Sequence, residues 1–264
     1  MAGIYKVMQK RWKITIEYNG TDYHGWQRQK DGIASIQQSI ETAIHKFCGQ
    51  DIAITAAGRT DAGVHAHGQV AHFDLDYGDR ELTPYDLAKA INAHLVPEPI
   101  AIVKAEEVDS EFHARFGATN KLYRYHIITR HAPPIHDSAY VWHHKHAMDI
   151  EAMRMGALYL MGHHDFTSFR DAQCQAKSPM RTLDRVEIFH DHYDSYGGEE
   201  IIIELEAQSF LHHQCRNIAG TLVDVGRGRY NSKDVKKILE AKDRTKAGMT
   251  APASGLSLVR IDYQ

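Results

Sequence analysis

A chain of 264 residues with 31 Lys and Arg against 34 Asp and Glu has a formal net charge of −3, without the basic excess that marks many nucleic-acid binders. Hydrophobic residues at 43% and charged residues at 25% describe a globular protein with material for a sizeable core, in one large domain or two modest ones. No apolar run is long enough to cross a bilayer, the first thirteen residues lack the apolar stretch of a secretory signal, and the scattered Cys48, Cys174 and Cys215 fit a reducing cytoplasm.

Trp12, Ile14, Ile16 and Tyr18 alternate with Lys13, Thr15 and Glu17, the pattern of a half-buried strand. Ser35 followed by Gln38 is a capping-box pattern, and Ile36, Ile40, Ile44 and Phe47 then repeat at helical spacing until Gly49. Short strands are expected over Ile52–Thr55 and Val70–Leu75. Thr83 and Pro84 open a second helix carrying Leu87, Ile91 and Leu95, with proline at the tolerated first position. Leu122–Thr129 reads as a strand, Asp149–Met161 as a helix ended by Gly162, and Val186–Phe189 and Ile201–Ala207 as strands. Helices follow at 213–225 and 232–241, then a closing strand over Leu256–Tyr263.

The outline of strand, helix, strand, helix, strand thus occurs twice, without sequence repetition. It fits an α+β fold of antiparallel or mixed sheet with helices on one side. His131–Ser138, with Pro133-Pro134, continues neither periodicity. The expected organisation is an N-terminal α/β half (1–132), a linker (133–138) and a C-terminal α/β half (139–264).

Between the two early strands lies Gly58-Arg59-Thr60-Asp61-Ala62-Gly63-Val64-His65. Gly58 and Gly63 can adopt backbone angles closed to other residues, so the chain can bend on both sides of Asp61. A carboxylate on such a turn can be aimed at a ligand and can serve covalent catalysis on a sugar or an electron-poor ring. The plainer alternative is a turn whose Arg59 and Asp61 form a solvated surface pair.

Charge is uneven along the chain. From Arg216 to Arg260 there are ten basic residues and four acidic ones, an excess of six that suits either a phosphate backbone or an ordinary solvated face. The nineteen histidines include the adjacent pairs His143-His144, His163-His164 and His212-His213, but none has a recognised metal spacing. Solvated or hydrogen-bonding histidines are therefore favoured over a metal centre, and a His-dependent metallohydrolase is the rival reading from another class.

The octapeptide resembles the signature of the tRNA pseudouridine synthase A family. Tyr18-Asn19-Gly20-Thr21 with Gly25-Trp26-Gln27-Arg28-Gln29 is similar to the family's N-terminal segment, with Asn19 where Asp is commoner. Phe112-His113-Ala114-Arg115-Phe116 and Tyr123-Arg124-Tyr125 resemble its central segment, with Lys121 where many members have Arg. Asp165-Phe166-Thr167-Ser168-Phe169, Phe210-Leu211-His212-His213 with Arg216-Asn217-Ile218, Lys242-Asp243-Arg244 and Gly255-Leu256-Ser257-Leu258 match further blocks, in the family's order.

The resemblance implies two similar α/β halves whose mostly antiparallel sheets join, with the active site in the cleft between them. It implies isomerisation of uridine to pseudouridine in the anticodon stem-loop of tRNA (positions 38–40), without cofactor or metal, by a homodimer. Asp61 is then the nucleophile, Tyr123 contacts the base, Arg59 assists its extrusion, and Arg216 is the counterion of the carboxylate. The residues alone leave alternatives: Tyr123 and Tyr125 share a strand face and can be a packing pair, Arg59 can pair with a local acid, and Arg216 can face solvent or a phosphate. A noncatalytic RNA-binding module of the same fold is the nearest alternative function.

Overall fold

The computed structural model describes residues 9–30, 32–78 and 81–264. Their contacts divide the chain into two compact units, one running to Thr119 and including Ile261–Gln264, the other holding Asn120–Arg260.

The first unit contains β1 (Gln9–Tyr18), α1 (Ile36–Cys48), β2 (Thr55–Ala56), β3 (His65–Asp76), α2 (Pro84–Leu95) and β4 (Ile100–Val108). Strand β1 lies between β3 and β4, antiparallel to both, and β2 also pairs with β3. The expected alternation holds: Trp12, Ile14 and Ile16 are at most 1% exposed, whereas Lys13 and Thr15 are only half-buried. A slip of one residue would exchange those two sets, so the register is firmly specified. Helix α1 begins where the Ser35 side chain accepts from the Gln38 N–H and ends at Gly49, which takes a φ of 75°. Its Ile36, Ile40 and Ile44 are buried, as are Leu87, Ile91 and Leu95 of α2.

Two features depart from the expected elements. Of Ile52–Thr55 only Thr55 enters a strand, because α1 satisfies the main chain of Ile54 first. Its N–H donates to Glu41 Oε1 at 3.1 Å, and its carbonyl accepts from Gln37 Nε2 at 3.4 Å. Strand β4 lies outside the expected set, although Ile100, Ile102 and Ala105 are buried. Its exposed Val103 interrupts a clean period of two.

The second unit contains β5 (Ala118–Thr129) from Asn120 onward, β6 (Trp142–His144), α3 (Ile150–Ala157), β7 (Gly162–Asp165), β8 (Met180–Leu183), β9 (Arg185–His192), β10 (Glu199–Ala207), α4 (Gln214–Gly226), α5 (Ser232–Ala241) and β11 (Leu256–Tyr263) as far as Arg260. Strand β10 pairs antiparallel with β5 and β9, β11 also neighbours β5, and β6 runs parallel to the end of β5. Strands β7 and β8 form a separate antiparallel ribbon. Strands β6, β7 and β8 span three or four residues each, too short for periodicity to announce them. The fold is α+β with a mostly antiparallel sheet, as the sequence led one to expect.

The helix expected over Asp149–Met161 is α-helical only to Ala157 and tightens to a 3-10 turn at Leu158–Leu160, while Gly162 opens β7. Residues 133–138 fall inside the second unit. Arg130 donates to the carbonyls of Ala132 (2.9 Å) and Pro133 (2.8 Å), and the Tyr193 hydroxyl bonds Asp137.

Helix α4 is buried on nearly every side, and its Ile218, Ala219 and Leu222 have no exposed surface. The segment around Met249 can cross it only because residue 220 is glycine: a Cβ there would stand 1.9 Å from the Met249 carbonyl oxygen. Gly220→Ala must push that backbone away, and overpacking of this kind costs about 1–3 kcal/mol. A loss of that size in urea-denaturation stability is the expected result, and an unchanged midpoint would contradict the close approach.

Candidate active site

The octapeptide connects β2 to β3, and its geometry follows from what grips it. The Thr60 carbonyl accepts from the Trp26 N–H at 3.1 Å, and the Gly63 N–H donates to the Tyr23 carbonyl at 3.2 Å. The Val64 N–H closes the turn on the Asp61 carbonyl at 3.2 Å. Gly63 takes a φ of 77°, as its place in the turn requires, whereas Gly58 is not among the residues of positive φ, contrary to the expectation for it. Its carbonyl instead accepts from Gln69 Nε2 at 3.1 Å.

Two further glycines make the grip possible. A Cβ on Gly25, whose φ is 88°, would lie 2.7 Å from the Thr60 carbonyl oxygen. A Cβ on Gly20 would lie 2.1 Å from that of Val64. The Gly20 N–H donates to His65 Nδ1 at 3.1 Å, which holds the start of β3 against the same segment. Residues 18–26 are therefore a backbone clamp on the turn.

Exposure alternates along the clamped stretch. Arg59 is exposed, Thr60 is buried and Asp61 is half-buried. The turn presents a guanidinium and a carboxylate on its accessible side and anchors itself by the residue between them. The Thr60 hydroxyl lies 2.8 Å from that of Tyr18 in a buried contact. Tyr18 closes β1 beside Trp26, their ring centroids 6.1 Å apart. Tyr18 and Thr60 are missed by reasoning from periodicity, which reads Tyr18 only as the last inward residue of a strand. The available signal was its hydroxyl, since a buried tyrosine needs a hydrogen-bond partner.

In the second unit, Tyr123 stands on β5 opposite Leu205 of β10. It is 8% exposed and packs edge-on to Phe210, with centroids 5.2 Å apart and planes at 83°. Tyr125 points to the same side and is fully buried, its hydroxyl donating to the Pro252 carbonyl at 2.8 Å. Burial raises the pKa of that hydroxyl, and the positive charge of Arg216 acts against the rise. Tyr125 is thus packed into the interior.

Arg216 lies in the first turn of α4, half-buried, with Nε donating to the Ala251 carbonyl at 2.8 Å. The Ala251 N–H donates to the main-chain carbonyl of Arg216 at 3.2 Å, so both the side chain and the backbone of Arg216 are tied to residue 251. The next residue, Asn217, supports this arrangement. Its Nδ2 donates to the Phe169 carbonyl (2.8 Å) and its Oδ1 accepts from Arg244 Nη2 (2.9 Å) and Thr250 Oγ1 (2.7 Å). Just before the helix, His213 Nδ1 lies 2.8 Å from Asp171 Oδ2. The Gln173 N–H, with His213, holds the Asp171 carboxyl below the usual range.

Comparison with known proteins gives a consistent result. A family model described as tRNA pseudouridine synthase matches residues 14–117 and 157–264. The protein from Paramagnetospirillum magneticum named tRNA pseudouridine synthase A is 50% identical over 253 residues, covering 96% of this chain and 95% of that protein. Proteins of the same name from Wolbachia sp. subsp. Drosophila simulans and from Caulobacter vibrioides are each 47% identical over 96% of this chain, and 100% and 98% of their own lengths are covered. The matched residues include the turn, its clamp and Arg216, whereas Tyr123 lies between the two matched stretches.

The clamp makes a specific demand on residue 25. Gly25→Ala adds a methyl group at a left-handed backbone position and against the Thr60 carbonyl. The two effects together should cost about 1–3 kcal/mol. Turnover should fall further than the unfolded fraction explains, since the turn moves even in folded molecules. Activity per folded molecule equal to wild type would show that the turn does not need this approach.

Proposed function

The chain belongs to the tRNA pseudouridine synthase family, and on that premise we propose that it isomerises uridine to pseudouridine in the anticodon stem-loop of tRNA, at positions 38–40, with Asp61 as nucleophile. The bond from N1 to C1′ breaks and one from C5 to C1′ forms. C5 loses a proton and N1 gains one. The product is an isomer of the substrate, so the reaction needs neither oxidant nor group donor, and the proposal includes no cofactor.

The observation that carries this reading is the presentation of Asp61: a half-buried carboxylate beside an exposed Arg59, on a turn tied down at Thr60 and Gly63. An ionised carboxylate held so can add to C6 of the ring or to C1′ of the ribose, and both routes agree with this geometry. The target uridine must leave its stack first, at a cost of a few kcal/mol. Arg59, exposed and two positions before the nucleophile, is suited to fill the vacated space or to hold a phosphate.

Tyr123 contacts the extruded base in this reading, an aromatic ring being a natural platform for a pyrimidine. Arg216 is the counterion, and its fixed Nε supports a single orientation of the fork. The protein acts in the cytoplasm, as its three free cysteines suit. It acts as a homodimer, which lets a near-neutral chain offer a tRNA two basic faces. Among the described residues no helix is long and apolar enough to cross a membrane.

Release of tritium from C5-labelled uridine in tRNA tests the reaction directly, because an RNA-binding module without catalysis releases none. Asp61→Asn should fold, bind tRNA as the wild type does and release no label above background. Appreciable turnover by that variant would remove Asp61 from the chemistry. Mapping the modified positions in the same tRNA checks the assignment to the anticodon stem-loop.

A further inference from the structure

Thr60, between the exposed Arg59 and the half-buried Asp61, turns its side chain inward. It is 7% exposed, and its hydroxyl shares a buried hydrogen bond of 2.8 Å with that of Tyr18. Tyr18 is itself 3% exposed, and burial raises its pKa, so the hydroxyl stays protonated throughout the working range. Gln69, with no exposed surface, also bonds Tyr18 and donates to the Gly58 carbonyl at 3.1 Å. The Thr60 carbonyl is taken by the Trp26 N–H. Both the side chain and the carbonyl of Thr60 are thus tied, and the peptide plane joining it to Asp61 has little freedom to rotate.

We propose that Tyr18 and Thr60 are positioning residues for the reaction: their buried hydroxyl pair sets the direction in which the Asp61 carboxylate leaves the turn. The inference rests on Asp61 being the nucleophile. Neither hydroxyl need touch a reacting atom, since each acts through the backbone of the turn. Reaction rates are steep in geometry, a displacement of about 1 Å costing on the order of a hundredfold. Binding of tRNA, by contrast, is spread over many phosphate contacts. Loss of the hydroxyl pair should therefore appear in kcat and leave KM for tRNA nearly untouched.

Tyr18→Phe, Thr60→Val, the double variant and Thr60→Ser are to be compared with wild type on one tRNA, at a temperature where melts show each folded. Tyr18→Phe and Thr60→Val should lose about tenfold or more in kcat, with KM within about twofold. Thr60→Ser keeps the hydroxyl and should retain most of kcat. The double variant should be no slower than the slower single one, because both changes break the same bond. A kcat within about twofold of wild type for Tyr18→Phe and Thr60→Val overturns the proposal, whatever happens to the melting temperature. So does a Thr60→Ser variant as slow as Thr60→Val, or a loss confined to KM. If Thr60→Val does not fold, Tyr18→Phe, which deletes one oxygen, decides alone. An inactive wild type or an active Asp61→Asn would instead remove the catalytic reading beneath it.

Discussion

The approach of two main chains without any side chain between them governs the first unit. The Thr60 carbonyl oxygen occupies space that a carbon on residue 25 would need, and the Val64 carbonyl does the same against residue 20. At those distances the turn is held by backbone hydrogen bonds, which have no rotamers to lose and tolerate little drift. The main chain that carries Asp61 has met the entropic cost of its placement during folding. Preorganisation of this kind is where proteins find much of their catalytic advantage.

The second unit applies the same device through side chains. Asn217 is completely buried, yet its amide nitrogen and carbonyl oxygen are both engaged, by Phe169 on one side and by Arg244 and Thr250 on the other. A buried amide left half-satisfied would be costly, so the three partners and the helix turn they join stand or fall together. Arg216, one residue earlier, inherits a fixed starting point from that network. Its own bond to Ala251 then limits where the guanidinium can lie.

Legibility in the sequence followed the length and regularity of each element. Helix α1 announced itself through Ser35, a run of isoleucines and Gly49: Ser35 caps the Gln38 N–H, the isoleucines are buried and Gly49 ends the helix. Strand β1 was equally plain because one of its faces is dry. Ile54 misled because the competitor for its backbone groups was a pair of side chains, Gln37 and Glu41, that no periodicity encodes. The turn at Asp61 was legible as a motif, but the reason for its rigidity was not. Tyr18, Gly20, Gly25 and Trp26 stand more than thirty residues upstream, and only folding brings their hydrogen bonds and their missing Cβ atoms to bear. Gly58 illustrates the converse: a left-handed backbone was open to it, and the structure instead holds its carbonyl through Gln69.

The excess of six positive charges between Arg216 and Arg260 must be divided by what each charge already does. Arg244 donates to Gly248, Asn217 and Thr250, so it is part of the interior and cannot leave for a phosphate without breaking the Asn217 network. Arg229, Lys236, Lys237, Lys242 and Arg260 each have an acid within 4.0 Å, at Asp224, Glu240, Asp234, Asp165 and Glu206 respectively. Those pairs are of a different kind. Lys236 and Glu240 are 59% and 63% exposed, and surface pairs of this sort are worth about 0–1 kcal/mol. A phosphate backbone that releases counterions as it binds can displace such partners readily. The charge available to a tRNA is thus smaller than the count in this stretch, and part of it is held in exposed pairs such as that of Lys236 with Glu240. A near-neutral chain can accept a polyanion without a permanently bare basic face, provided its lysines are loosely paired and its structural arginines stay where they are.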